Sequence, residues 1–239
     1  METRLVYLEN QYQKECDSTA SWFEFTDLVI DQTVFYPTSD GQPNDRGKVI
    51  IDGREYVIVD TWSDGDNIHL MSHDTFPDDT KGKKVHQVLD WDVRYMHMRF
   101  RTALKVISGL AYSMFGATTR INQTYDDQAW FDFEKDEISN DDVVSLFQEV
   151  NKVLSADRET SFRYIPRDEF IKDADMMKIC KGRVPDLQNI RIMDLEGVPS
   201  QMEFGTNVAK TGEVGKVDYK TTLIKGKIGR RINITLSME

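Results

Sequence analysis

The pattern of apolar residues changes at Asp90-Trp91, and that change constrains the fold more than any other feature of the chain. Before it, short apolar runs alternate with turn residues. LVYLEN, SWFEFTDLVI, TVFYP, GKVIIDGREYVIVDTW and NIHLMSH carry β-branched and aromatic residues between Gly, Asp, Asn and Pro. Successive strand residues face opposite sides, so this pattern predicts a small β-barrel or folded sheet over residues 1–90. Asp52-Gly53 predicts a hairpin between KVIIDG and REYVIVD, because both residues tolerate the positive φ of a tight turn. After the break, VRYMHMRFRTALKVISGLAYSMFG sets Met96, Phe100, Leu104, Ile107, Leu110, Ala111 and Met114 at helical spacing. One long amphipathic helix follows.

A second helix is predicted in SNDDVVSLFQEVNKVLS, where Ser139 or Asn140 caps the start and Asp141 and Asp142 suit the positive end of the dipole. Leu146, Val150 and Val153 form its buried stripe. NIRIMDLEG, QMEFGTNV and KVDYKTTLIKGKIGRRINITL return to strand patterning, which suggests a sheet under these helices. The chain therefore reads as α+β, with one domain at 1–90 and a second at 91–239.

With 239 residues, 39% of them hydrophobic, such a chain buries a sizeable core without help from disulfides. Cys16 and Cys180 stand far apart with no CxxC spacing, so neither a disulfide framework nor a cysteine zinc knuckle is legible. Apolar runs such as YVIV end in charge well short of the roughly 20 residues a membrane helix needs. METRLVYLEN has no apolar signal core, so a cytoplasmic location is expected. A net charge of -11 repels phosphate on average, and any nucleic-acid contact must use a local basic patch.

Four segments, read in order, resemble the alanyl-tRNA editing family, called AlaX when it occurs free of a synthetase. TVFYPTSDGQPNDRG at 33–47 is similar to TxFYPxxGGQPxDxG, with Asp40 in place of a Gly. DWDVRYMHMRFRTALKVISGL at 90–110 is similar to the helix WxRRxxHMRxHTAxHLL. GATTRINQTYDDQAWFDFEKDEIS at 116–139 resembles the strand pair and the acidic helix start that follow. MEFGTNVAKTGEVG with IKGKIGRRINITL resembles CGGTHVxxTxEIG and the closing KGKxxxRI strand. The resemblance spans most of the chain. It implies an N-terminal barrel, an α/β editing domain with long helices on an antiparallel sheet, trans-acting hydrolysis of a wrongly attached Ser or Gly, and the tRNA acceptor end as partner.

The departures carry as much information. In the family, HxxxH on the helix and CxxxH near the end supply the zinc ligands, a nitrogen and sulfur set suited to tetrahedral zinc. Arg101, Lys105, Glu203 and Asn207 stand at the matching positions. Arg and Lys are charged donors with no lone pair to give, so no metal is expected. Arg101 and Lys105 are four apart on one helix and share a face. One reading joins them to Glu203 as an ion-pair network that replaces the metal structurally. The other keeps a working pocket, in which Arg101 or Lys105 holds the carbonyl oxygen or a phosphate and Glu203 or Asn207 orients water.

From the matching motifs, Thr33 and Gln42 are candidates for a pocket wall that tests the amino acid by hydrogen bonding, or are strand and turn residues. Thr206 either lines the pocket or caps a loop, and Asp45 and Gly47 read as turn residues. The basic residues at 209–231, with Lys225, Lys227 and Arg230 foremost, are candidates for the acceptor stem, or a solvated strand face.

Other signals are weaker. His69 and His73 in a strand lie roughly 13 Å apart, too far to share a metal, and read as surface or edge residues. His97 falls one turn before Arg101. DGDN at 64–67 lacks the later Glu of a calcium loop and reads as a turn. Three functions remain: a metal-independent deacylase, a tRNA-binding protein that has lost catalysis, and an interaction protein using the fold alone.

Overall fold

The computed structural model describes residues 2–133, 138–223 and 230–237. The chain divides into two compact units, Met1–His97 and Met98–Glu239. The division falls inside the long helix rather than at its start.

In the first unit, strands β1 (Arg4–Leu5), β2 (Glu15–Glu24), β3 (Asp27–Ile30), β4 (Gln32–Thr33), β5 (Gly47–Ile51), β6 (Arg54–Ser63), β7 (Ile68–Ser72) and β8 (Lys84–Leu89) follow one another, with a single helical turn α1 (Val6–Glu9) after β1. β2, β3, β7, β6, β5 and β8 close into an antiparallel barrel in that order, while β1 and β4 pair in parallel beside it. Alternation sets the core: Val49 and Ile51, Tyr56 and Ile58, Leu28 and Ile30, and Ile68 and Leu70 all point inward. Val57, between two core residues, is 58% exposed. Each inward side chain contributes roughly 1.5–3 kcal/mol by leaving water. The Asp52-Gly53 hairpin forms as expected, with φ of 50° and 79°.

Several strand expectations in this unit fail for local reasons. Of LVYLEN only Leu5 is strand, because the chain turns into α1. In TVFYP the strand stops at Thr33, yet Val34, Phe35 and Tyr36 are buried. That segment is core. Asp45 is no turn residue either. Its carboxylate is fully buried, accepts the Tyr36 N–H at 2.6 Å, and meets the Arg94 guanidinium through Nε at 2.8 and 2.9 Å and through Nη2. Gly47 is required by crowding, since a Cβ there would lie 2.2 Å from the Val88 carbonyl oxygen.

α2 (Trp91–Phe115) begins in the first unit and ends in the second. The amphipathic reading understates its burial. Every residue from Met98 to Leu104 is buried, Arg99 and Arg101 included, which marks a helix enclosed on all sides there. Met114, assigned to the stripe, is 40% exposed near the helix end. Gly109 sits where the chain passes close, since a Cβ would lie 2.4 Å from Val198.

The second unit has two sheets where one was expected. β9 (Thr119–Thr124), β10 (Ala129–Phe133), β14 (Lys216–Leu223) and β15 (Arg230–Ser237) form an antiparallel sheet ordered β14-β15-β10-β9. α3 (Asn140–Ser155) packs on it: the Phe147 and Tyr219 rings stack at 4.0 Å, and the Asn151 amide meets both backbone groups of Val217. Ser139 caps α3 in a reciprocal box with Asp142, which contributes about 1 kcal/mol. β11 (Ser161–Pro166), β12 (Asn189–Leu195) and β13 (Val198–Met202) form the second sheet, around a small core of Ile165, Phe170, Ile190 and Ile192. Two short helices, α4 (Arg167–Lys172) and α5 (Ala174–Ile179), close it; their six-residue lengths are too short to show a helical period.

Candidate functional site

Arg101 and Lys105 leave the same face of α2, one turn apart, and both reach the segment that follows β13. Arg101 meets Glu203 side on: Nε lies 3.0 Å from each carboxylate oxygen and Nη2 2.9 Å from Oε1. The Lys105 ammonium lies 3.1 Å from Oε2 of Glu203 and donates to the Met202 carbonyl at 2.7 Å. The Gly205 N–H donates to Oε1 as well. Four donors thus converge on one carboxylate whose side chain is fully buried.

Burial pushes the Glu203 carboxyl up, but the Arg101 and Lys105 charges, the Arg101 hydrogen bond and the Gly205 N–H outweigh it and hold it down at about 2. The cluster is a buried carboxylate held between two cations. Its members differ in access: the Lys105 side chain is 20% exposed, against 5% for Arg101.

The rest of the segment is tied in on both sides. The Glu203 N–H donates to the Arg191 carbonyl at 3.0 Å, and Arg191 Nη1 returns to the carbonyls of Glu203 at 2.9 Å and Gly205 at 3.3 Å. The Arg191 guanidinium lies over the Phe162 ring at 3.8 Å. From α2, the Thr102 hydroxyl accepts the Val208 N–H at 3.1 Å and stands 3.2 Å from Oδ1 of Asn207. Sequence reasoning missed Arg191 and Thr102. Strand alternation puts Arg191 opposite Ile190 and Ile192, yet all three are buried, and only the tertiary structure supplies the ring and carbonyls that receive the guanidinium.

Asn207 and Thr206 are fully buried beside this cluster. Thr33 and Gln42 are also fully buried, in the first unit. The Thr33 hydroxyl donates to Gln87 at 2.8 Å and accepts the Phe35 N–H at 3.0 Å, so it serves the bonding of the barrel. Both oxygens of Glu203 are occupied by donors, Arg101 and Gly205 on Oε1 and Arg101 and Lys105 on Oε2, and these hold its carboxyl in the charged form.

Lys225 and Lys227 lie outside the described residues, and Arg230 begins β15 opposite Leu223. Nearby basic residues face acids: Arg231 pairs with Asp132 at 2.8 Å and stacks on Trp130 at 3.5 Å, while Lys210 and Lys216 each lie 3.6 Å from an aspartate. This part of the patch is largely self-neutralised. His69 is not a surface residue. It is buried between Asp27 and Asp64, whereas His73 is exposed.

The residues at the family's zinc position do not suit that metal. A guanidinium and an ammonium donate protons rather than lone pairs, and the single carboxylate is already saturated by them. Among the described residues no group of His, Cys, Asp and Glu could hold a metal, and no helix is long and apolar enough to cross a membrane.

No family model matches the chain. It is 32% identical over 242 residues to an alanyl-tRNA editing protein AlaX-M of Methanosarcina barkeri, covering 98% of this chain and 99% of that one. It is 28% identical over 235 residues to the AlaX-M of Saccharolobus solfataricus, with the same coverage. An alanine–tRNA ligase of Ignicoccus hospitalis is 29% identical over 224 residues, which span 92% of this chain and 24% of the ligase.

Proposed function

This chain belongs to the alanyl-tRNA editing protein AlaX-M family, and on that premise we propose that it hydrolyses mischarged aminoacyl-tRNA in trans, without zinc, with seryl and glycyl esters as substrates and the acceptor end as the part of the tRNA it engages. The observation that carries the reading is the buried Arg101–Glu203–Lys105 cluster at the positions that match the family's metal ligands, whose most exposed member is the Lys105 ammonium.

In this reading Arg101 and Lys105 both hold Glu203, and the partly exposed Lys105 ammonium also faces the substrate. Water attacks the ester carbonyl carbon, and negative charge grows on the carbonyl oxygen, where the ammonium stabilises it. The carbon–oxygen bond to the ribose then breaks. The proton lost by water ends on the departing ribose oxygen. Glu203 acts as a positioning residue that holds Arg101 and Lys105. Thr206 and Asn207 serve as wall residues beside them, and Lys225, Lys227 and Arg230 are candidates for phosphate contact.

Deacylation of seryl- and glycyl-tRNA by the purified protein, with and without a chelator, tests this. Hydrolysis is expected to survive chelation. Lys105→Met is expected to slow it about a hundredfold while leaving the fold intact, the usual scale for one oxyanion partner. Loss of activity on chelation would refute the metal-free mechanism.

A second reading is a protein that binds aminoacyl-tRNA without cleaving it. The saturation of Glu203 favours it, because no carboxylate of this cluster is left to activate water. Tight binding of aminoacyl-tRNA without turnover would decide for that reading.

A further inference from the structure

The first unit carries a cavity of about 760 Å³ on the outer face of its barrel that the proposed chemistry does not use. Trp22, Val29 and His69 line it and belong to a cross-strand row that Trp62 continues beside the cavity. Trp22 of β2 pairs with Val29 of β3, Val29 with His69 of β7, and His69 with Trp62 of β6. Leu28, Ile30, Ile68 and Leu70, their chain neighbours, point into the barrel core, so this row points out. Trp22 and Trp62 are each 40% exposed, a large apolar area to leave in water.

The polar groups around the cavity divide into two kinds. His69 is fully engaged as wall: Nδ1 lies 2.9 and 3.0 Å from the oxygens of Asp27, Nε2 lies 3.3 Å from Asp64, and Trp62 stacks on the ring at 4.0 Å. Asp64 in turn accepts the N–H groups of Asp66 and Asn67. Asp31 and Lys81 differ. Asp31 accepts the Thr19 N–H at 2.8 Å through Oδ1, and among the described residues neither Asp31 nor Lys81 forms an ion pair. The neighbouring Lys83, by contrast, is paired with both Asp52 and Asp79.

We propose that this cavity binds a free α-amino acid with an apolar side chain. An uncommitted acid and an uncommitted base on one cavity match a zwitterion: the ammonium meets Asp31 and the carboxylate meets Lys81. The side chain covers Trp22 and Val29. A simple cation would leave Lys81 facing it, and a simple anion would leave Asp31. The volume falls in the usual range for small-molecule sites, about 300–1,000 Å³.

Calorimetric titration of the full chain with L-leucine is expected to give a dissociation constant on the order of a millimolar, with leucinamide and N-acetylleucine each weaker by about tenfold. Asp31→Asn keeps an oxygen for the Thr19 N–H, and Lys81→Met removes an exposed charge, so neither disturbs the barrel. Each is expected to weaken leucine binding about tenfold, and the Trp22 indole NMR signal is expected to move on titration. Absence of binding at tens of millimolar, or binding that both variants leave unchanged, overturns the proposal. The inference is independent of the editing reaction: Asp31→Asn is expected to leave seryl-tRNA deacylation as it is in the parent protein.

Discussion

Arg94 and Arg101 leave one helix, and each meets a buried carboxylate, Asp45 in the first unit and Glu203 in the second. The first pair is closed. Arg94 and Asp45 are both shut off from solvent, and the remaining donors go to the carbonyls of Val34 at 2.5 Å and Gln11 at 3.4 Å. The second cluster adds Lys105, and with it a second cation on the carboxylate and a path to solvent. Exclusion of water makes the first pair a staple whose worth is structural. Partial access distinguishes the second, where the proposed reading has Lys105 hold a developing anion.

The sharpest way to break this contrast is Asp45→Ala. It strands a buried guanidinium, and the loss is expected to be about 3–5 kcal/mol in urea unfolding. A loss near zero would mean that water reaches Arg94 and that the pair is no staple.

Acid probes the second cluster. Glu203 is held down at about 2, below its ordinary 4.5, so the stability it contributes is fully present above the ordinary value and is lost as pH falls through about 2. Between pH 6 and pH 3 this group is expected to account for roughly 2 kcal/mol of the stability lost. Comparison with Glu203→Gln, which lacks this titration, isolates the contribution from other carboxylates. Parallel pH profiles for the two proteins would show that Glu203 is not held down.

The smallest expected effect on stability is that of Lys105→Met. Arg101 still meets Glu203, and the lost ammonium is partly solvated, so about 1 kcal/mol or less is expected in the same unfolding measurement. A loss as large as that of Asp45→Ala would make Lys105 part of the core and remove the distinction between the clusters.

Much of the fold was legible in local pattern. The barrel strands from Gly47 to Ser63, the hairpin at Asp52-Gly53, α2 and the Ser139 cap follow from period and turn chemistry, which are properties of short segments. The grouping of Arg101, Lys105, Glu203 and Asn207 was legible only because ordered motifs resemble a family with a known arrangement. No local pattern links residues 101 and 203. What local pattern missed has a common cause. Asp45 looked like a turn residue, Arg191 an outward strand residue, His69 an edge residue and TVFYP a strand, and each is buried by contacts from segments distant in the chain.

By itself, then, the sequence determined the strand-then-helix order, the position of the long helix and the one-turn spacing of Arg101 and Lys105 on it, because these depend on residue type and near neighbours. The tertiary structure alone decided which charges share a partner and how much water reaches them. Whether a buried cation shares its partner depends on every carboxylate and carbonyl that the fold brings within about 3–4 Å, and chain order does not encode that count.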